Sequence, residues 1–188
     1  MIKIGITGSV ASGKTTASKI IASKQGPLFS ADKVVKKLYT QNKFKKLIAK
    51  KLNLKFDKSI KEKIKNKILK NKKILKKLEM IIHPLVRKEI FAFIKKNKKK
   101  KFLFLEIPLL IESKLTKHFD VIIFIKSKHS VRLKRYLLRG GNQNLFSVLD
   151  QHQIKDSKKT KFCDHIVVNN KSLFALKKKL SNIIYLYD

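Results

Sequence analysis

The sequence predicts an α/β protein in which strands alternating with helices form a doubly wound parallel sheet. Three observations carry the prediction. Short apolar runs alternate with longer stretches of helical periodicity along the 188 residues. At least one run, Phe102-Leu103-Phe104-Leu105, is apolar without interruption, as in a strand covered on both faces. The first run, Ile2-Lys3-Ile4-Gly5-Ile6, leads straight into Gly8-Ser9-Val10-Ala11-Ser12-Gly13-Lys14-Thr15, a G-x-x-x-x-G-K-[ST] segment without a mismatch.

That segment reads as a phosphate-binding loop. A strand must end at such a loop and a helix must begin inside it, because the anion rests on backbone N–H groups of the loop and of the first helical turn. The stretch from Thr16 to Lys24 supplies the helix, with Ala17, Ile20, Ile21 and Lys24 on one face. Gly8 and Gly13 let the backbone approach phosphate closely, and the N–H groups of Ala11, Ser12, Gly13, Lys14, Thr15 and Thr16 are the expected cradle. Lys14 would reach the β- and γ-phosphates of ATP, and the Thr15 hydroxyl would bind Mg²⁺.

Gly26-Pro27 then turns the chain into a short second strand, Leu28-Phe29-Ser30, with Asp32 at its carboxyl end. Ligands bind at that edge of an open parallel sheet, so Asp32 belongs near the phosphate loop. It also suits the N-cap of a helix over Lys33 to Tyr39, and the two roles are compatible. From Gln41 to Lys96 the pattern is helical and amphipathic with no strand candidate, as in an inserted subdomain that closes over a site. Within it His83-Pro84 marks a break followed by a fresh helix, and His83 is open to a structural or a functional reading.

Phe102 to Leu105 is the third strand, with Glu106 after it as a candidate for holding Mg²⁺ or its waters. Val121 to Ile125 is the fourth. A helix from about Lys128 carries Arg132, Arg135 and Arg139 and ends at Gly140-Gly141. Ile166-Val167-Val168 is the fifth strand, and residues 172–186 form a last helix.

Composition narrows the class. The length suits one α/β core with an inserted subdomain. A single cysteine, Cys163, forbids an intrachain disulfide and favours a reducing compartment. The N-terminus does not read as a secretory leader and no apolar stretch is long enough to cross a membrane, so a cytoplasmic protein is expected. A net charge of +35 invites a nucleic-acid partner, yet only four of the 47 basic residues are arginine. Lysines spread along the whole chain describe a solvated surface, and no specific nucleic-acid site is expected. The four arginines are the exception, since a planar fork holds two phosphate oxygens at fixed angles where an ammonium cannot. Arg135 and Arg139, four apart, would share a helical face, while Arg87 lies far from the cluster.

In order and spacing these pieces resemble the dephospho-coenzyme A kinases over nearly the whole chain. The resemblance rests on Ile6-Thr7-Gly8 with the loop, Ser30-Ala31-Asp32, His83-Pro84, Ile107-Pro108-Leu109-Leu110 with Glu112, Arg135 and Arg139, Gln153, and Asp164 with Asn169. It implies a P-loop kinase fold with strand order 2-3-1-4-5, a core of 1–32 and 102–188, a helical CoA-side subdomain over about 33–96 and a lid over about 135–153. It also implies transfer of the ATP γ-phosphoryl group to the 3′-hydroxyl of dephospho-CoA. Mg²⁺ is the expected cofactor, at Thr15, and a monomer or weak homo-oligomer is expected. Asp32 would be the general base, Arg135 and Arg139 would bind ATP, and His83, Pro108, Leu109 and Leu110 would fall near the acceptor. The chain departs from the family pattern at Ser30, where a first Asp is usual, at Glu106, and at Ser9-Val10-Ala11. A different P-loop small-molecule or nucleoside monophosphate kinase is the alternative, and a basic nucleic-acid-binding protein a more distant one. A GTPase is disfavoured because no N-K-x-D segment is present.

Overall fold

A computed structural model describes residues 1–188. Its frame is a five-stranded parallel sheet in the order β2-β3-β1-β4-β5, built from β1 (Ile2–Gly8), β2 (Leu28–Ser30), β3 (Phe102–Glu106), β4 (Val121–Lys126) and β5 (His165–Val168). This is the doubly wound topology and strand order that the sequence and its resemblance predict. Nine helices surround it: α1 (Lys14–Ala22), α2 (Ala31–Leu38), α3 (Asn42–Lys51), α4 (Ile60–Lys70), α5 (Lys73–Lys96), α6 (His129–Leu137), α7 (Gln143–His152), α8 (Asp156–Lys159) and α9 (Leu173–Tyr185).

Because side chains alternate across a strand, the apolar run of β3 feeds both faces of the sheet. Phe102 and Phe104 pack with Ile4, Ile6 and Ile123 beneath α1 and α9, where Ala17, Ile21, Leu176 and Leu180 meet them. Leu103 and Leu105 face the other way, against Val86 and Ile90 of α5 and Leu110. A third cluster lies away from the sheet, where Phe44, Ile48, Ile64, Ile68, Leu75 and Leu78 bring α3, α4 and α5 together. Val148 of α7 is buried in this cluster too, so residues 143–152 pack on the helical insertion.

Four local expectations change. There is no break at His83-Pro84, because α5 runs through Pro84 from Lys73 to Lys96. The proline removes one backbone donor, and burial of Leu75 and Leu78 before it and Val86 and Ile90 after it holds both halves in one helix. Asp32 lies inside the first turn of α2 while Ser30 occupies the N-cap, so the capping role falls away and the carboxylate instead faces the favourable end of the helix dipole. Arg139 lies beyond α6 in the turn that Gly140 closes at φ 76°, so Arg135 and Arg139 do not share one helical face. Lys24 is exposed past the end of α1, with φ 66°. No helix is long and apolar enough to cross a membrane.

Phe104→Ala, at a fully buried position, is expected to cost about 3–5 kcal/mol. Phe174→Ala, 77% exposed, should stay within about 0.5 kcal/mol. Urea unfolding monitored by circular dichroism measures both, and similar values for the two would show that the sheet core is not where stability resides.

Candidate active site

The register of the sheet assembles the site. Ile6 of β1 pairs with Glu106 of β3, and Glu106 pairs with Ser30 of β2. The loop after β1, Glu106, and Asp32 just past Ser30 therefore emerge side by side at the carboxyl edge, where open parallel sheets bind ligands.

The loop keeps its shape through contacts only glycine allows. A Cβ on Gly8 would lie 2.4 Å from the Ile125 carbonyl oxygen, and one on Gly13, where φ is 94°, would lie 2.3 Å from Asn169 Nδ2. The carbonyls of the loop are taken by side chains, most of them from distant elements. Ser12 O accepts from Asn169 Nδ2 at 2.9 Å, Ser127 Oγ at 3.1 Å and Arg135 Nη1 at 3.4 Å. Val10 O accepts from Arg132 Nη1 at 3.4 Å, and Ser9 O from Lys14 Nζ at 2.8 Å. The first helical bond runs from Ala17 N–H to Gly13 O, so the N–H groups of Lys14, Thr15 and Thr16 have no partner within the helix and are available to an anion. Two other loop donors are occupied: Val10 N–H by Gln153 Oε1 at 3.0 Å and Ser12 N–H by Ser9 O at 3.1 Å.

The charges beside the loop act on one another. Burial pushes the Lys14 ammonium down to about 8, against the pull of Asp32 and Glu106. Burial likewise raises Asp32 above the usual carboxylate range, with Lys14 opposing and Glu106 adding to the rise. Thr15 Oγ1 donates to Glu106 Oε1 at 2.6 Å, while Glu106 Oε2 is buried without a partner. A hydroxyl beside a carboxylate with a spare oxygen fits Mg²⁺, which takes oxygen ligands and commonly relies on one or two carboxylates plus substrate phosphates. The structure has no group of three acidic, histidine or cysteine side chains able to hold a metal ion unaided.

A cavity of about 630 Å³ extends from this edge. Ala11, Lys14 and Asp32 line its phosphate end, and Leu75, Leu78, Ile82, Val86 and Ile90 of α5 form an apolar wall interrupted by Glu79, His83 and Arg87 of the same helix. Ile107, Pro108 and Leu109 contribute a turn, and Tyr136, Arg139, Gly140 and Gly141 the opposite rim. Burial above all, with Arg87 adding, holds the His83 imidazole below its ordinary value against Glu79.

The structure thus gathers Ala11, Lys14, Asp32, His83, Pro108, Leu109 and Arg139 around one space. Leu110 is fully buried in the sheet core and does not line it. Arg135 lies against the loop at Ser12 O, and its guanidinium also meets Ser127 Oγ at 3.2 Å; burial and then Arg139 lower its pKa. Arg132 is a structural anchor, forked onto both oxygens of Asp150. Arg87 does reach the cavity, donating to Ser113 O at 2.9 Å. Sequence reasoning missed Tyr136 and the pair His152 with Glu79, which meet at 2.9 Å between α7 and α5. The scarcity of acids, 12 against 47 bases, was the signal that could have drawn attention to Glu79.

The dephospho-CoA kinase family model matches residues 2–174. A Rickettsia bellii dephospho-CoA kinase is 32% identical over 185 residues, covering 98% of this chain and 96% of the relative. The solved dephospho-CoA kinase of Campylobacter jejuni superposes with a TM-score of 0.65 at 26% identity, covering 97% of this chain and 95% of its own. A Thermus thermophilus protein of known structure shares the fold with a TM-score of 0.78 at 23% identity, over 98% and 97% of the two chains.

Gly8→Ala is expected to weaken ATP binding about tenfold or more, about 1.4 kcal/mol, because the backbone oxygen of Ile125 cannot rotate away from the new methyl. Calorimetric titration with ATP reads this directly. Unchanged affinity would show that the loop tolerates a Cβ and that its geometry is not the binding determinant.

Proposed function

The chain belongs to the dephospho-CoA kinase family, and from that premise we propose how its own residues share the work of moving the ATP γ-phosphoryl group onto the 3′-hydroxyl of dephospho-CoA. Phosphoryl transfer leaves a protein little covalent chemistry, so the work is alignment and charge compensation. The observation that carries the assignment is that Lys14 and Asp32 line one cavity, with Glu106 close enough to shift both.

The N–H groups of Ala11, Gly13, Lys14, Thr15 and Thr16 cradle the phosphates, and the Lys14 ammonium leaves Ser9 O to sit on them. Thr15 and Glu106 would hold Mg²⁺, which would supply positive charge to offset that of the transferring phosphates. Asp32 accepts the proton of the 3′-hydroxyl as that oxygen bonds to the γ-phosphorus and the bond to the bridging oxygen of ADP breaks. Burial of Asp32 favours this role, since a carboxylate with a raised pKa is a stronger base at neutral pH. Arg139 closes the rim over the transferring group, while Arg135, held at Ser12 O, binds ATP beside the loop.

His83, Pro108 and Leu109 line the acceptor side, where the apolar wall of α5 suits the long uncharged arm of dephospho-CoA. In this reading residues 33–96 form the CoA-side subdomain and 135–153 the lid. The enzyme works in the cytoplasm as a monomer or weak homo-oligomer, and its lysine excess is a solvated surface without a specific nucleic-acid partner. Ser30, buried at the α2 N-cap without a side-chain capping bond, leaves Asp32 as the one acid after β2.

Asp32→Asn should lower kcat about 10²–10⁴-fold with ATP affinity nearly intact, because the amide keeps the size but cannot take the proton. A coupled assay of ADP release with dephospho-CoA, beside calorimetry with ATP, separates the two; a collapse of ATP affinity at preserved kcat would make Asp32 a nucleotide-side ligand. Arg139→Lys should lower kcat/KM in the same assay by about tenfold, about 1.4 kcal/mol, although charge is conserved. An unchanged value would remove the guanidinium fork from the mechanism.

A further inference from the structure

Lys159 is fully buried, an uncommon position for lysine, and its Nζ lies 2.6 Å from Glu112 Oε1. Glu112 lies within the turn over 108–114, whose first residues, Pro108 and Leu109, line the cavity. Its Oε1 also accepts from Ile154 N–H at 3.2 Å, so one carboxylate grips both ends of the segment 154–159. The same stretch of chain holds the phosphate loop, through Gln153 Oε1 on Val10 N–H and through Asp156, which accepts from Ser9 Oγ. The two charges reach opposite sides of the site: that of Lys159 is felt at Lys14, that of Glu112 at His83.

A buried ion pair is weak evidence for stability, because desolvation offsets much of the attraction. What it supplies here is a fixed distance. We infer that Glu112 and Lys159 are positioning residues: their pair fastens the acceptor-side turn over 108–114 to the segment that grips Ser9 and Val10, and so sets the separation of acceptor hydroxyl and γ-phosphate. The inference rests on the reading that Pro108 and Leu109 lie beside the acceptor.

The test uses the full-length enzyme. Removing one charge strands the other in the interior, so the informative variant is Glu112→Gln/Lys159→Met, which removes both; Glu112→Gln alone, which keeps an oxygen for Ile154 N–H and Lys159, is measured beside it. Thermal midpoint, ATP affinity, kcat and KM for dephospho-CoA, and ATP hydrolysed per acceptor phosphorylated are read for each. Positioning predicts, in whichever variant remains folded, ATP affinity within about twofold of wild type, kcat/KM for dephospho-CoA down about tenfold or more, and a larger share of ATP lost to water. Full kcat/KM in the folded double variant, or a loss of ATP affinity matching the loss of kcat/KM, overturns the inference. Leu109→Ala distinguishes the premise: an unchanged KM for dephospho-CoA sinks the acceptor-side reading itself, whereas a raised KM beside an unaffected double variant sinks only the pair.

Discussion

The molecule depends on one constraint: the N–H groups of Lys14, Thr15 and Thr16 must be left without helical partners and yet not move. Unpaired N–H groups are costly when buried and useless when floppy. The fold resolves this by holding the loop mainly through its carbonyls, with Val10 N–H and Ser9 Oγ as further anchors. Ser12 O alone receives side chains from the ends of β4 and β5 and from α6, and Val10 O is reached by an arginine itself fixed on Asp150. The parallel sheet brings those groups to one edge, and the crossover helices exist in the order needed to return each strand to it. Asn169 and Ser127 thus act on the site through the Ser12 carbonyl.

How much of this was legible in the sequence follows from the range of each interaction. The loop, the strand before it and the helix after it are encoded within about twenty consecutive residues, and glycine spacing and a single Lys-Thr are enough to read them. Asp32 and Glu106 were legible because a parallel sheet places the residue after every strand at the same edge. The continuity of α5 through Pro84 was not, because a local rule about proline competes with burial of Leu75 and Leu78 on one core and Val86 and Ile90 on another. The roles of the arginines divided for the same reason. Periodicity could align Arg132, Arg135 and Arg139, but only the fold decides that the first meets Asp150, the second meets the loop and the third reaches the cavity. Glu112 with Lys159 lies 47 residues apart in the chain and left no local trace.

The charge imbalance looks different once the acids are located. Ten of the twelve carboxylates are engaged: Asp57, Glu79, Glu106, Glu112, Asp120, Asp150, Asp156, Asp164 and Asp188 bond to named partners, and Asp32 faces the cavity. Most acids thus meet a specific donor, while lysine fills the solvated positions. Both substrates are polyanions, and so strongly positive a field favours their approach and weakens with added salt.

The continuity of α5 has a mechanical consequence. At 24 residues it is a bar about 36 Å long, with its first half seated in the helical cluster and its second in the sheet core. A bar clamped at both ends carries torque from one body to the other, and its stiffness is lowest where the hydrogen-bond ladder lacks a rung. That place is Pro84, beside the cavity residue His83. The helix therefore has the build of a lever whose flexure lies next to the residue it would displace.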